Sequence, residues 1–258
     1  MDTSMDLQQY RASDAEQNRT KDLMRLIRLM ENSQNALDIG ARDGYFSKLM
    51  LESFSNVTAL DLEKPNIPDE NIECVKGDIT DLQYDDNSFD LIFCAEVLEH
   101  IPTQLLEKAC AELSRASRRY LLIGVPYKQD IRLNRTTCYS CGKLNPPWGH
   151  VNSFDENRLK QLFSSYTVKE MSFVGESTKQ TNFVSAALMN LAGNPYGTYE
   201  QEEPCVHCNE KLKKPPARNL IQKVFTKLAF IGMSIQKPFI SPHGNWIHIL
   251  LEKKSSDS

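Results

Sequence analysis

Three sets of residues in this 258-residue chain have types and spacings suited to chemistry. One is a carboxylate beside two glycines, in Asp38-Ile39-Gly40-Ala41-Arg42-Asp43-Gly44-Tyr45. Another is four cysteines in two C-x-x-C pairs, Cys138/Cys141 and Cys205/Cys208. The last is Glu96, Glu99 and His100, with His150 further along. Gly40 and Gly44 let the backbone come close to a ligand, and a helix starting at Tyr45 would point its unpaired N–H groups at the turn. The spacing is G-x-x-x-G, which is not the dinucleotide pattern G-x-G-x-x-G. A carboxylate two residues ahead of Gly40 would repel a pyrophosphate and attract an ammonium group, which favours S-adenosylmethionine over a nicotinamide cofactor.

The two cysteine pairs offer four thiolates to a tetrahedral zinc ion, and Gly142 and Asn209, each just after its pair, help the chain turn around the metal. Reducing conditions argue against disulfides. The gap from Cys141 to Cys205 far exceeds the roughly 15 to 20 residues of a compact zinc ribbon, so the fold must bring the pairs together. Two separate redox pairs, unliganded surface cysteines, or His150 or His207 in place of one thiolate remain open. Cys74, Cys94 and Cys110 lie in apolar patterns and read as packing. Glu96, Glu99 and His100 fall at i, i+3 and i+4, one face of a helical turn, where they could share Mg²⁺ or Mn²⁺. Pro102 cuts that turn short. His150, in Trp148-Gly149-His150-Val151-Asn152-Ser153, is a candidate base, with Glu96 beside it as a candidate catalytic group.

The elements that would position these groups are strands ending in acids. Residues 36–39 form a strand ending at the glycine turn. Residues 57–60 form a second ending in Asp61, about 20 residues on, where an acid grips ribose hydroxyls. Residues 72–75 form a third, followed by Gly77, Asp78 and Ile79. Asp78 would accept from an adenine amino group while Ile79 covers the ring. Residues 89–94 form a fourth after the turn signal Asp85-Asp86-Asn87-Ser88, and Cys94 and Ala95 at its end border the same site. Residues 120–125 and 167–174 are a fifth and sixth. Ser13-Asp14-Ala15-Glu16 matches a capping box ahead of an apolar stripe at Leu23, Met24, Ile27 and Met30. Ser153-Phe154-Asp155-Glu156 matches a second box.

This order of motifs resembles the class I S-adenosylmethionine-dependent methyltransferases of the small-molecule branch, closely over residues 36–125 and more loosely beyond. The resemblance implies a Rossmann-like, doubly wound α/β fold: a mostly parallel seven-stranded sheet, with residues 245–251 as an antiparallel last strand. It implies that Asp38, Gly40, Arg42, Gly44 and Tyr45 line the methionine end of the cofactor, that Asp61 and Leu62 hold the ribose, and that Asp78 and Ile79 face adenine. Arg42 stands where many members carry a middle glycine. Glu96-x-x-Glu99-His100 with a downstream histidine is similar to the metal set of the 2′-O-methyltransferases of small-RNA ends, although Glu96-Val97-Leu98-Glu99-His100-Ile101 also occurs in members that use no metal.

The expected division is an N-terminal tail and helix (1–34), a cofactor-binding core (35–126), an insertion with the first cysteine pair (127–152), a core helix and strand (153–174), an insertion with the second pair (175–243), and a last strand and tail (244–258). Both insertions leave the C-terminal ends of strands, where open α/β sheets bind ligands. A zinc ion joining them would clamp a lid, with binding energy on the order of 10 kcal/mol to order it. The net charge of −4 argues against nucleic acid as a partner. A basic run at Lys211, Lys213, Lys214, Arg218, Lys223 and Lys227 reads as a solvated helix face. No apolar run is of spanning length and the start is acidic and polar, so a cytoplasmic protein without membrane association is expected. Lys128, Arg132, Arg135 and Lys143 lie among Tyr127, Tyr139 and Trp148, which suits an acceptor with a ring and a phosphate or carboxylate, such as a sugar. The expected activity is O-methylation of a small-molecule, sugar or natural-product acceptor. The alternatives are metal-dependent 2′-O-methylation of RNA ends, and an inactive zinc-bearing interaction module.

Overall fold

The computed structural model of the protein describes residues 11–30 and 33–254. Most of the polar opening segment, residues 1–10, and the end of the polar tail, residues 255–258, lie outside the described residues. The described residues divide into two compact units, one built from residues 13–30, 33–127, 154–175 and 244–254, the other from residues 11–12, 128–153 and 176–243.

The first unit is a seven-stranded sheet. Its strands are β1 (Asn35–Ile39), β2 (Asn56–Asp61), β3 (Ile72–Lys76), β4 (Phe89–Ala95), β5 (Ser117–Pro126), β8 (Tyr166–Val174) and β9 (Trp246–Lys253). They lie in the order β3-β2-β1-β4-β5-β9-β8. All pairings are parallel except those of β9, which runs antiparallel to both β5 and β8. This is the expected doubly wound sheet with its reversed final strand.

Both faces of the central strands are covered, which is why they read as continuous apolar runs rather than as alternations. One face packs Leu37, Ile92, Leu121 and Ile249 with Leu113 of α3 (Leu106–Ala116) and Leu159 of α4 (Glu156–Leu162). The other packs Ala36, Phe93, Leu122 and Leu250 with Leu23 and Ile27 of α1 (Asp14–Ile27) and Met50 of α2 (Tyr45–Met50). Helix α1 begins as expected, with Ser13 accepting from the Glu16 N–H. The Glu16 side chain does not close the box, because it pairs with Arg19 at 2.5 Å. Asp22 ties the same helix to the antiparallel edge by accepting from the His248 ring at 2.7 Å.

The second capping box is corrected. Ser153 is not the cap of α4; Asp155 is, accepting from the Arg158 N–H at 2.8 Å. Phe154 is buried and bridges Tyr127 as extended chain, so the helix cannot start until that side chain has been delivered to the core. The second unit holds a small hairpin of β6 (Thr136–Thr137) and β7 (Leu144–Asn145), and two longer helices, α5 (Phe183–Leu191) and α6 (Leu220–Gln236), that pack on each other.

Candidate functional site

At the tip of β1 the chain makes two left-handed steps at glycine, Gly40 with φ 75° and Gly44 with φ 77°. A Cβ at Gly40 would overlap Val97, and one at Gly44 would overlap Ile67, so backbone conformation and space both require glycine. Arg42 also lies in the left-handed region, at φ 48°. Its N–H donates to Asp61 Oδ2 at 2.9 Å, and the Leu62 N–H donates to Oδ1 at 2.7 Å. Asp61 is thereby fixed at the rim of the turn.

Asp38 is 2% exposed. Burial, followed by the charge of Asp61, pushes its carboxyl up to about 7. Ser47, one turn into α2, donates to it at 2.6 Å; its place in an ordinary helical stretch gave no signal of this role. Asp78 accepts from both the N–H and the hydroxyl of Thr80 at 2.8 Å, and Ile79 beside it is buried. Tyr45 is half-buried and Leu62 is exposed. Cys94 is wholly buried in the core, and burial holds its thiol well above the usual range, so it packs as a hydrophobe. Its neighbour Ala95 is half-buried at the strand end.

The segment after β4 is not the helical turn that the i, i+3, i+4 spacing suggested. Glu96 takes φ 59° while its N–H still bonds across the sheet to Gly124 O, and only one tight turn follows, with His100 N–H on Val97 O at 3.0 Å. The left-handed step at Glu96 breaks the helical face, so a shared face cannot be inferred from the spacing. Glu96 lies 3.9 Å from Arg19, and burial pushes its carboxyl up against that pull. Arg19 sits 5.5 Å over the Phe46 ring and reaches this edge from α1, a contact that a generic apolar stripe does not announce. Glu99 is fully buried, with no hydrogen-bond partner for either carboxyl oxygen among the described residues. Burial and then the charge of Glu96 hold it well above the usual carboxylate range. Burial and the Arg42 charge lower His100 to about 4, so its imidazole is neutral at pH 7.

In the second unit the four cysteines of the two pairs come together, their sulfur atoms all within 4.8 Å of one another. Cys138–Cys208 and Cys141–Cys205 are each 3.7 Å apart. The two knuckles have the same build. Cys138 N–H bonds Lys143 O and Gly142 N–H returns to Cys138 O; Cys205 N–H bonds Glu210 O and Asn209 N–H returns to Cys205 O. Gly142 and Asn209 are both left-handed, as their place after each pair requires. His207 stands outside the cluster, its Nε2 3.1 Å from Leu144 O. His150 is buried after a short 3₁₀ turn, with Nδ1 2.6 Å from Gln129 Oε1. In the same unit Lys128, Gln129, Ile131, Arg132, Arg135 and Gln180 line an open groove of about 490 Å³. Arg132 is already bound there, donating to Asp130 at 2.8 Å and to Thr181 O.

Glycine bend, paired rim acids and strand order are those of a class I S-adenosylmethionine-dependent methyltransferase domain, and residues 37–120 match the methyltransferase domain family. No curated protein matches the chain. Among solved structures it is similar to the N-methyltransferase NodS from Bradyrhizobium japonicum WM9, with TM-score 0.53 and 15% identity, covering 95% of this chain and 99% of that one. It is similar to a SAM-dependent methyltransferase from Archaeoglobus fulgidus, with TM-score 0.53 and 15% identity over 91% and 93% of the two chains. It is also similar to the [4+2]-cyclase SpnF, with TM-score 0.53 and 14% identity over 95% and 86%. These identities speak to the fold alone. Residues 37–120 thus carry a methyltransferase domain, set in a sheet of the methyltransferase fold.

Proposed function

We propose that the protein transfers the methyl group to an oxygen of a small, sugar-like or natural-product-like acceptor, and that the four-cysteine cluster holds a structural zinc ion. The observation that carries the cofactor part is the bend itself. Asp38 is buried at one end as a partner for the amino-acid ammonium, and Asp61 is fixed at the other by two backbone N–H groups to meet the ribose hydroxyls. Gly40, Arg42, Gly44 and Tyr45 shape the floor, and Leu62, Asp78, Ile79 and Ala95 border it. When bound, the cofactor supplies a sulfonium methyl, and the protein has only to align an acceptor oxygen, remove its proton and exclude water. His150 and Glu96 are the proposed proton-handling groups. With Gln129 Oε1 accepting from Nδ1, the basic nitrogen of His150 is Nε2.

For the zinc, four thiolates around an ion at about 2.3 Å would stand about 3.8 Å from one another, and two sulfur pairs in the cluster are 3.7 Å apart. Backbone N–H groups of the knuckles lower the thiol of Cys138 and, against burial, that of Cys205, while burial and then the neighbouring sulfurs push Cys208 up against the Glu210 N–H. Zinc bound among them would hold all four as thiolates. The basic groove at Lys128 and Arg135 supports an acceptor that carries a phosphate or carboxylate. Incubation with methyl-labelled S-adenosylmethionine and a panel of hydroxylated and aminated acceptors, read by mass spectrometry, tests the reading. Labelled ether or ester products that fall at least 100-fold in His150→Gln support it; transfer to nitrogen alone contradicts the oxygen assignment.

A further inference from the structure

Helix α6 is built inside out. Its buried positions are Thr226 and Ala229, with Gly232 seated against Ser185 of α5, so the face turned to the protein is small and polar. Its aliphatic residues, Leu220, Ile221, Val224, Leu228, Ile231 and Ile235, recur at helical spacing on the opposite side, with exposures from 46% to 79%. Phe239, just past its end, is 85% exposed, and Phe183 and Val184 at the start of α5 are exposed too. An apolar stripe of this length in water is a marker of an interaction surface.

The charge beside it identifies the partner. From residue 211 to residue 251 the chain carries seven Lys and Arg and no Asp or Glu, within a protein of net charge −4. Lys223 and Lys227 flank the stripe. Together with Arg218, Tyr196, Thr226 and Phe230 they line an open groove of about 680 Å³ along α6, with Arg218 5.1 Å over the Tyr196 ring. A helix with an exposed aliphatic stripe, a cationic border and no acids has the make-up of one that lies in a bilayer interface, apolar face among the acyl chains and lysines among anionic headgroups. We infer that α6, with Phe239, docks this protein on the surface of an anionic phospholipid bilayer. This departs from the expectation of no membrane association; no helix among the described residues is long and apolar enough to cross a membrane, and interfacial docking needs none.

The test is flotation of the full chain with phosphatidylcholine vesicles, with and without about 30% phosphatidylglycerol, at low and high salt. The protein should float with the anionic vesicles only, and less at high salt. Each lysine neutralised should weaken binding about fivefold, so Lys223→Gln with Lys227→Gln should lose about 25-fold. Ile231→Asp should abolish binding. Both variants should keep the wild-type circular dichroism and thermal midpoint, since these side chains are exposed. No association of the wild type with anionic vesicles would overturn the inference, as would unchanged binding in both variants. A concentration-dependent dimer in sedimentation that Ile231→Asp dissociates, without vesicle binding, would assign the face to a second copy of the chain instead.

Discussion

The carboxyl of Asp38 gives the cofactor site a pH dependence that can be worked out from the structure. Burial and then the charge of Asp61 push it up to about 7, with Ser47 as its hydrogen-bond donor. An ammonium group bound beside it needs the carboxylate, so at lower pH the cofactor must displace a proton. Roughly 3% of Asp38 is ionised at pH 5.5 and about half at pH 7, so the apparent affinity should rise about 15-fold across that window. The window stays below the cofactor's own amino pKa of about 7.7 to 8. Calorimetric titration with S-adenosylmethionine in buffers of different ionisation enthalpy measures both quantities, and about half a proton should be released per cofactor at pH 7. Asp38→Asn should bind more weakly, with an affinity independent of pH. A flat profile for the native protein, or no dependence on buffer, would refute the assignment of Asp38 to the ammonium. In the unliganded protein the same raised carboxyl contributes its stability fully below pH about 4 and loses it as pH rises through about 7, by on the order of 4 kcal/mol.

Gly44→Ala must place a Cβ against Ile67 at a left-handed residue, which should cost about 1 to 3 kcal/mol; a thermal midpoint unchanged within a degree would mean that the bend is slack. Cys205→Ser should drop bound zinc from about one equivalent to a small fraction by elemental analysis and leave residues 176–243 open to limited proteolysis; full zinc retention in the variant would rule out the four-thiolate site. Glu99→Gln should raise the thermal midpoint at pH 8 and change it little at pH 4, because the buried carboxyl contributes stability only while protonated and loses it as pH rises through its elevated pKa; equal midpoints at pH 8 would show that the carboxyl has found a counter-charge.

The strand-bend-helix at residues 35–50 was legible because each step has a local cause. An apolar run makes the strand, glycines take positive φ, and the helix pattern resumes at Tyr45. The cysteine cluster was legible as chemistry but not as geometry, since nothing in the spacing says that a hairpin at residues 136–145 presents the first pair to the second. Two expectations failed for physical reasons. Ser153 has the right identity for a cap, but burial of Phe154 delays the helix to Asp155. The spacing of Glu96, Glu99 and His100 assumed helical backbone, which the left-handed step at Glu96 interrupts, while a Glu99 carboxyl oxygen and a His100 ring nitrogen still lie within 4.8 Å of each other. The aliphatic stripe on α6 was not read from the sequence at all, and the structure shows Thr226 and Ala229 buried in its place.

Crystals grown with S-adenosylhomocysteine would examine the cofactor site most directly. The account predicts its ammonium on Asp38, its ribose hydroxyls on Asp61 and its backbone-facing edge over Gly40 to Gly44. Density for the ligand anywhere else, or none at this bend at saturating concentration, would contradict it.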